Sequence, residues 1–386
     1  MPAPLLTQKI HQLLKPTLPH MISTLRQFVT AESPSLEKTT ADRCCELIGA
    51  FWNKQGLEVQ RIPQKHRGNH LRIVFHPPSS RSPQSQLLVL GHYDTVYASG
   101  TLKKMPFQIT AGKAYGPGVF DMKAGIVQAL FAFSGLCRLN LPIKKRIVFL
   151  WTSDEEIGSD SSRRLIESEA RRSDAVFVLE PALGPRGLLK TARKGVGEAE
   201  IIVHGRASHA GLAPEEGINA IHELCHQLTR VLKWNDPRRS ITVNADIVEG
   251  GTRTNVIAER ARAVLDLRAL RVADMRWLER QLHALQPHHP GARLEIRGGF
   301  SRVPLERKIS ATLFQRAKSL ASQINLTLGE CVAGGGSDGN LTAALGIPTL
   351  DGLGAVGDGA HSSHEHIKVK TMPARAALLA ALLATT

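Results

Sequence analysis

Residues Ile147 to Gly158 read IVFLWTSDEEIG, an apolar run of strand length that empties into two adjacent carboxylates, Glu155 and Glu156, before a glycine frees the backbone to turn. Neighbouring carboxylates at a partly buried strand end repel each other and are costly to keep ionised unless a cation compensates. Alone, a DEE triplet is more often a solvated acidic turn. Here the pattern recurs. In LLVLGHYDTV the apolar run Leu87 to Leu90 delivers His92 and Asp94, and in AVFVLEPA the run Ala175 to Leu179 delivers Glu180. Asp121 sits in AYGPGVFDMKAGI, between a Gly/Pro loop and an apolar helix expected from about Met122, where a carboxylate is commonly an N-cap. His361 follows the glycine-rich GAVGDGA and competes with His364 and His366; the HSxxE pattern favours His361.

Nitrogen and oxygen donors without thiolates suit zinc, with cobalt or manganese as substitutes. The candidates are seven, His92, Asp94, Asp121, Glu155, Glu156, Glu180 and His361, and even five of them as ligands exceed what one catalytic zinc with an open position takes, so two ions are the better count. A carboxylate can bridge two ions about 3.5 to 4 Å apart, and water held between them ionises near neutral pH. Asp94, two residues after His92, reads as the acceptor that orients the imidazole.

These residues need a scaffold that gathers them. Three apolar strands ending in polar residues predict an open α/β sheet, in which ligands bind outside the carboxyl ends of the strands. Upstream, Ala41, Cys44, Cys45, Ile48, Phe51 and Trp52 recur at helical spacing until Gly56, and strands Leu57 to Ile62 and His70 to Phe75 precede a Pro/Ser loop from Pro77 to Ser85. Between about Arg193 and Arg297 the order changes to βαββαβ: strand Ala199 to Val203, helix Glu216 to Trp234, strands Ile241 to Val248 and Ala261 to Arg268, helix Ala273 to Leu285, and strand Arg293 to Arg297. That is a ferredoxin-like α+β arrangement inserted as a lid or association domain, which divides the chain into 1–192, 193–298 and 299–386.

Composition excludes several classes. With 42% hydrophobic and 22% charged residues the chain reads as globular. No stretch of eighteen apolar residues and no secretory signal is read, which places the protein in the cytoplasm, away from membranes. The five cysteines are an odd number without CxxC and read as small core residues. A net charge of +15 comes from scattered doublets and triplets with few aromatics, which suits an anionic small molecule and not a nucleic acid.

Taken together, GHYDTV, AYGPGVFDMKAGI, TSDEEIGS, LEP, GRASHAG, RTNVIA, GGGSDGN and GAHSSHE, in this order from about Leu57 to the C-terminus, resemble the di-zinc deacylases and peptidases that include acetylornithine deacetylase, succinyl-diaminopimelate desuccinylase and glutamate carboxypeptidase. The resemblance implies a zinc-peptidase-like mixed sheet flanked by helices. It implies two zinc ions, with His92 and Glu180 on one zinc each, joined by Glu156 and His361, and Asp121 bridging. Glu155 would be the general base. His209 in GRASHAG would reach the active site of a second subunit and help hold the oxyanion, making the protein a homodimer through the lid, and Asn255 and Arg268 would grip the substrate carboxylate.

There is an independent reason to want a cation from elsewhere: Asp94, Asp121, Glu155, Glu156 and Glu180 already outnumber the charge of two divalent ions, so a carboxylate substrate needs guanidinium groups, with Arg193 and Arg302 as further candidates. The expected activity is hydrolysis of the amide bond to a C-terminal amino acid, glutamate or similar, in an N-acyl or peptidyl substrate. Deacylation of small N-acyl amino acids is the alternative within the family. A non-catalytic binding protein of the same fold would have lost a ligand or the base, and none is lost. TARKG departs from the carboxypeptidase pattern and bears on the side-chain pocket.

Overall fold

The computed structural model describes residues 5–77 and 85–386, so most of the Pro/Ser loop expected at 77–85 lies outside the described residues. The chain forms two compact units. One comprises Met1–Thr191, Arg307–Val332 and Ser337–Thr386; the other comprises Ala192–Glu306 and Ala333–Gly336.

The first unit is built on a six-stranded mixed sheet. Its strands are β1 (Glu58–Ile62), β2 (His70–Phe75), β3 (Gln86–His92), β4 (Arg146–Thr152), β5 (Ala175–Val178) and the short Thr349–Leu350, in the spatial order β1, β2, β4, β3, β5 and 349–350. β3 runs parallel to both β4 and β5, whereas β2 pairs antiparallel with both β4 and β1. The apolar runs read as they do because both faces are covered. Leu87, Val89, Phe149, Trp151 and Phe177 point into the larger core, shared with Phe28, Trp52, Phe133 and the all-round apolar helix Met372–Thr385. Leu88, Leu90, Val148, Leu150, Val176 and Val178 point the other way, onto Ile166, Ala170 and Leu341. The register sets His92 beside Thr152 and Leu90 beside Val178, so β3 and β4 end level and β5 stops two residues earlier, just before Glu180.

A second, smaller sheet was not legible in the sequence. Gly357–Asp358, His366–Lys368, Lys113–Tyr115 and Gln108–Thr110 pair in that order, each only two or three residues long and too short to show a period. Tyr115 lies opposite His366, which ties the segment leading to Asp121 to the segment carrying His361.

In the second unit, β6 (Gly195–His204), β7 (Thr242–Gly250), β8 (Arg260–Ala269) and β9 (Arg293–Arg302) form an antiparallel sheet in the order β7, β8, β6, β9, with helices Ala220–Val231 and Val272–His283 in the βαββαβ sequence of the ferredoxin-like arrangement. β9 continues five residues beyond the expected Arg297, because Gly298 and Gly299, at φ 82° and 141°, carry the pairing onward while contributing no side chain to the strand pattern. The helix expected from Glu216 starts at Ala220 instead, where Asn219 accepts the N–H groups of Ile221 and His222 at 3.0 and 3.3 Å.

Three further readings need correction. The helix following Asp121 begins at Ala124, and Asp121 and Met122 have non-helical backbone, so Asp121 does not cap it. Only Cys44 and Cys45 are core residues; Cys137 and Cys225 are exposed and Cys331 is intermediate. The segment Val119–Arg138 is, by length and composition, apolar enough to cross a membrane, but it is packed inside the first unit.

That packing is close where the helix Ala124–Arg138 passes the end of β5. A Cβ on Gly125 would lie 2.5 Å from the Leu179 carbonyl oxygen, so Gly125→Ala is expected to destabilise the protein by about 1–3 kcal/mol in urea unfolding.

Candidate metal centre and active site

β3, β4 and β5 release His92, Glu155 with Glu156, and Glu180 within a few residues of their carboxyl ends, and the small sheet brings the Asp121 and His361 loops to the same edge. His92 is buried, and its Nε2 lies 3.2 Å from Asp121 Oδ1 and 3.5 Å from Glu180 Oε1. The other oxygen of Asp121, Oδ2, lies 3.7 Å from His361 Nε2, which is itself 3.1 Å from Glu156 Oε2. Asp121 therefore belongs to two donor sets at once, His92–Asp121–Glu180 and Asp121–Glu156–His361, each with its ligand atoms within 4.8 Å of one another. The resemblance distributes His92 and Glu180 over separate ions; the geometry puts them in one set. Glu155 is in neither.

Asp94 holds this arrangement from below. Fully buried, it accepts the Ser35 hydroxyl at 2.7 Å and the backbone N–H groups of Glu155 and Glu156 at 3.3 Å each, so it orders the turn bearing both glutamates. Its carboxylate is 3.4 Å from His92 Nδ1, and its carbonyl oxygen, at 3.1 Å, is the nearer acceptor for that nitrogen. Among the three competing histidines, His364 contacts the Ser362 hydroxyl and His366 lies in the small sheet against Tyr115, leaving His361 in the donor set.

The electrostatics suit a cation. Burial pulls His92 down, but Asp121, Asp94 and Glu180 around it outweigh that and raise it well above the ordinary histidine value. Burial raises Glu156 to about 7 despite its bond to His361, and that same bond raises His361 to about 9. In the metal-free protein, protons take the place of compensating charge. Two imidazoles and three carboxylates, with no thiolate, fit zinc or a similar divalent ion in each set.

Two contributors were missed. Glu365, four residues after His361 in HSSHE, is fully buried against the Asp121 loop, and the HSxxE pattern was the signal for it. Lys190 lies 3.8 Å from Glu180 Oε2, an ammonium group within the first unit where the sequence reading named only arginines. Nothing in the spacing of Lys190 marks it.

In the second unit, the GRASHAG and RTNVIA loops are joined: Ala210 N–H donates to the Asn255 carbonyl at 3.0 Å and Ile257 N–H to the Ser208 carbonyl at 3.0 Å. His209 is exposed, its Nδ1 accepting from Gly211 and Leu212. Arg268 is not gathered with them. It sits at the far end of β8, roughly 26 Å from Arg260 at strand rise, and its guanidinium grips Asp266 of its own strand at 2.7–3.0 Å. Arg193 is buried and donates to the carbonyls of Gly335 and Gly336 at 3.1 Å, a structural engagement; Arg302 is buried as well.

Two donor sets that share one carboxylate are a donor arrangement that could hold two divalent cations side by side. Comparison with known proteins agrees. Residues 88–385 match the model of peptidase family M20/M25/M40, and the chain belongs to that family. It is 33% identical over 308 residues to carboxypeptidase G2 from Pseudomonas sp. (strain RS-16), covering 77% of this chain and 73% of that protein. It is 28% identical over 300 residues to succinyl-diaminopimelate desuccinylase from Paraburkholderia xenovorans (strain LB400), covering 73% and 78%. Among solved structures, aminopeptidase PepT from Bacillus cereus ATCC 10987 shares the fold, with a TM-score of 0.77 at 22% identity over 95% of this chain and 98% of that one. The chain is thus a metal-dependent hydrolase of this family.

The sign of the His361 shift predicts a pH effect. Raised above its unfolded value, it stabilises the metal-free protein fully below about pH 6.5, and this contribution is lost as pH rises through about 9. A ligand imidazole must be neutral, so zinc uptake is expected to expel about one more proton at pH 8 than at pH 10. Calorimetric titration in buffers of different ionisation enthalpy measures this.

Proposed function

We propose that the protein uses two zinc ions to hydrolyse the amide bond between an acyl or peptidyl group and a C-terminal amino acid, glutamate or a similar residue. The observation that carries this reading is the division of the two Asp121 oxygens between the donor sets. Bound zinc supplies Lewis-acid polarisation of the scissile carbonyl and acidifies water. Glu155, outside both sets and held at its backbone by Asp94, takes the proton from the attacking water and returns it to the leaving amine. Asp94 does this positioning for Glu156 too, so ligand and base keep a fixed spacing.

The substrate carboxylate meets a site crowded with acids, and Lys190, 3.8 Å from Glu180, is a cation in the first unit that supports an anionic substrate. Arg268 serves as clamp by exchanging Asp266 for the substrate. The length of β8 between Arg268 and the His209–Asn255 loops supports a homodimer, in which Arg268 of one copy and His209 and Asn255 of the other meet one small substrate. His209 then donates to the developing oxyanion. The 28% identity to a desuccinylase favours a second reading, deacylation of small N-acyl amino acids such as acetylornithine or succinyl-diaminopimelate.

A panel of N-acyl amino acids and dipeptides, assayed by amine release, separates the two: preference for C-terminal glutamate supports the first, and preference for acetylornithine or succinyl-diaminopimelate the second. Glu155→Gln is expected to keep two zinc ions per chain by metal analysis while losing several orders of magnitude in kcat; a near-normal rate removes Glu155 as base. His209→Ala is expected to lower kcat more than it raises KM, and an unchanged kcat removes its role.

A further inference from the structure

Three N–H groups of one loop point at one buried carboxylate. The segment from Gly116 to Met122 belongs to no regular helix or strand: Gly116 and Gly118 have φ 149° and 68°, and Asp121 and Met122 are non-helical. Val119 N–H finds the Gly116 carbonyl at 3.2 Å within the segment, while the N–H groups of Gly118, Phe120 and Asp121 turn to a side chain from elsewhere. Glu365, with no exposed surface, receives those three: one oxygen accepts from Gly118 at 2.9 Å, the other from Phe120 at 2.7 Å and from Asp121 itself at 2.9 Å. The small sheet presents Glu365 to the loop, with Tyr115 opposite His366 and the Gly116 N–H on the Glu365 carbonyl at 3.4 Å.

We infer that Glu365 is the positioning residue for Asp121, fixing the carboxylate on which both donor sets depend. The inference rests on the reading of Asp121 as the ligand shared by two ions. Charge is part of the device, because an ionised carboxylate accepts all three N–H groups, whereas an amide turns an NH2 donor toward at least one of them. Loss of this support displaces a ligand common to both ions, so both affinities fall together.

The test is zinc affinity of the full-length protein, measured by competition with a fluorescent chelator. Glu365→Gln is expected to weaken both zinc sites about 10–100-fold, with turnover recovering as zinc is raised. Glu365→Asp, which keeps the charge one methylene short, is expected to fall between. A merely structural role lowers the Tm of the metal-free protein and leaves the affinities of the folded protein unchanged. Wild-type zinc affinity in Glu365→Gln, or in Glu365→Asp should the first variant not fold, overturns the inference. Asp121→Ala is run alongside. If it keeps both ions, the ligand reading falls and the inference with it; if it loses both while Glu365→Gln keeps them, only the inference falls.

Discussion

The two oxygens of Asp121 face different partners, one toward His92 and the other toward His361, and much of the first unit serves to keep that carboxylate in place. A carboxylate between two donor sets on a loop without regular hydrogen bonding would be loose by default. Glu365 holds the loop's N–H groups, the helix from Ala124 packs within contact of the Leu179 carbonyl, and the small sheet closes the loop against the His361 segment. These supports come from separate stretches of chain, so the site's geometry is a property of the packed unit and of no single motif.

Charge explains why these supports must be strong. Asp121, Glu156 and Glu180 sit together where water is scarce, and without a cation they drive protons onto His92 and His361. Like charges held this close favour any divalent ion that can replace those protons. Lys190, 3.8 Å from Glu180, offsets part of that negative charge within the same unit.

In the second unit the residues that the family resemblance singled out lie at opposite ends of one sheet. Backbone bonds knit the His209 and Asn255 loops together, while Arg268 lies at the other end of β8, engaged by Asp266. With antiparallel strands of nine or ten residues, the two ends of that sheet stand well apart.

The apolar runs were enough to single out His92, the Glu155–Glu156 pair and Glu180, because a strand buried on both faces reads as a continuous hydrophobic segment and its polar terminus stands out. Asp121 and His361 follow glycine-rich loops, and they, like the choice of Glu156 over Glu155 as ligand, rested on the ordered motifs of the family resemblance. The βαββαβ order was legible for a different reason: alternation survives over strands of nine or ten residues. Tertiary structure alone decided which ligands share a set, that Asp94 orders the Glu155–Glu156 turn, that Lys190 lies beside Glu180, and that Arg268 stands apart from His209. Those facts depend on register between distant strands and on pairings of two or three residues, which leave no period in the chain and are set only when the sheets and loops pack against one another.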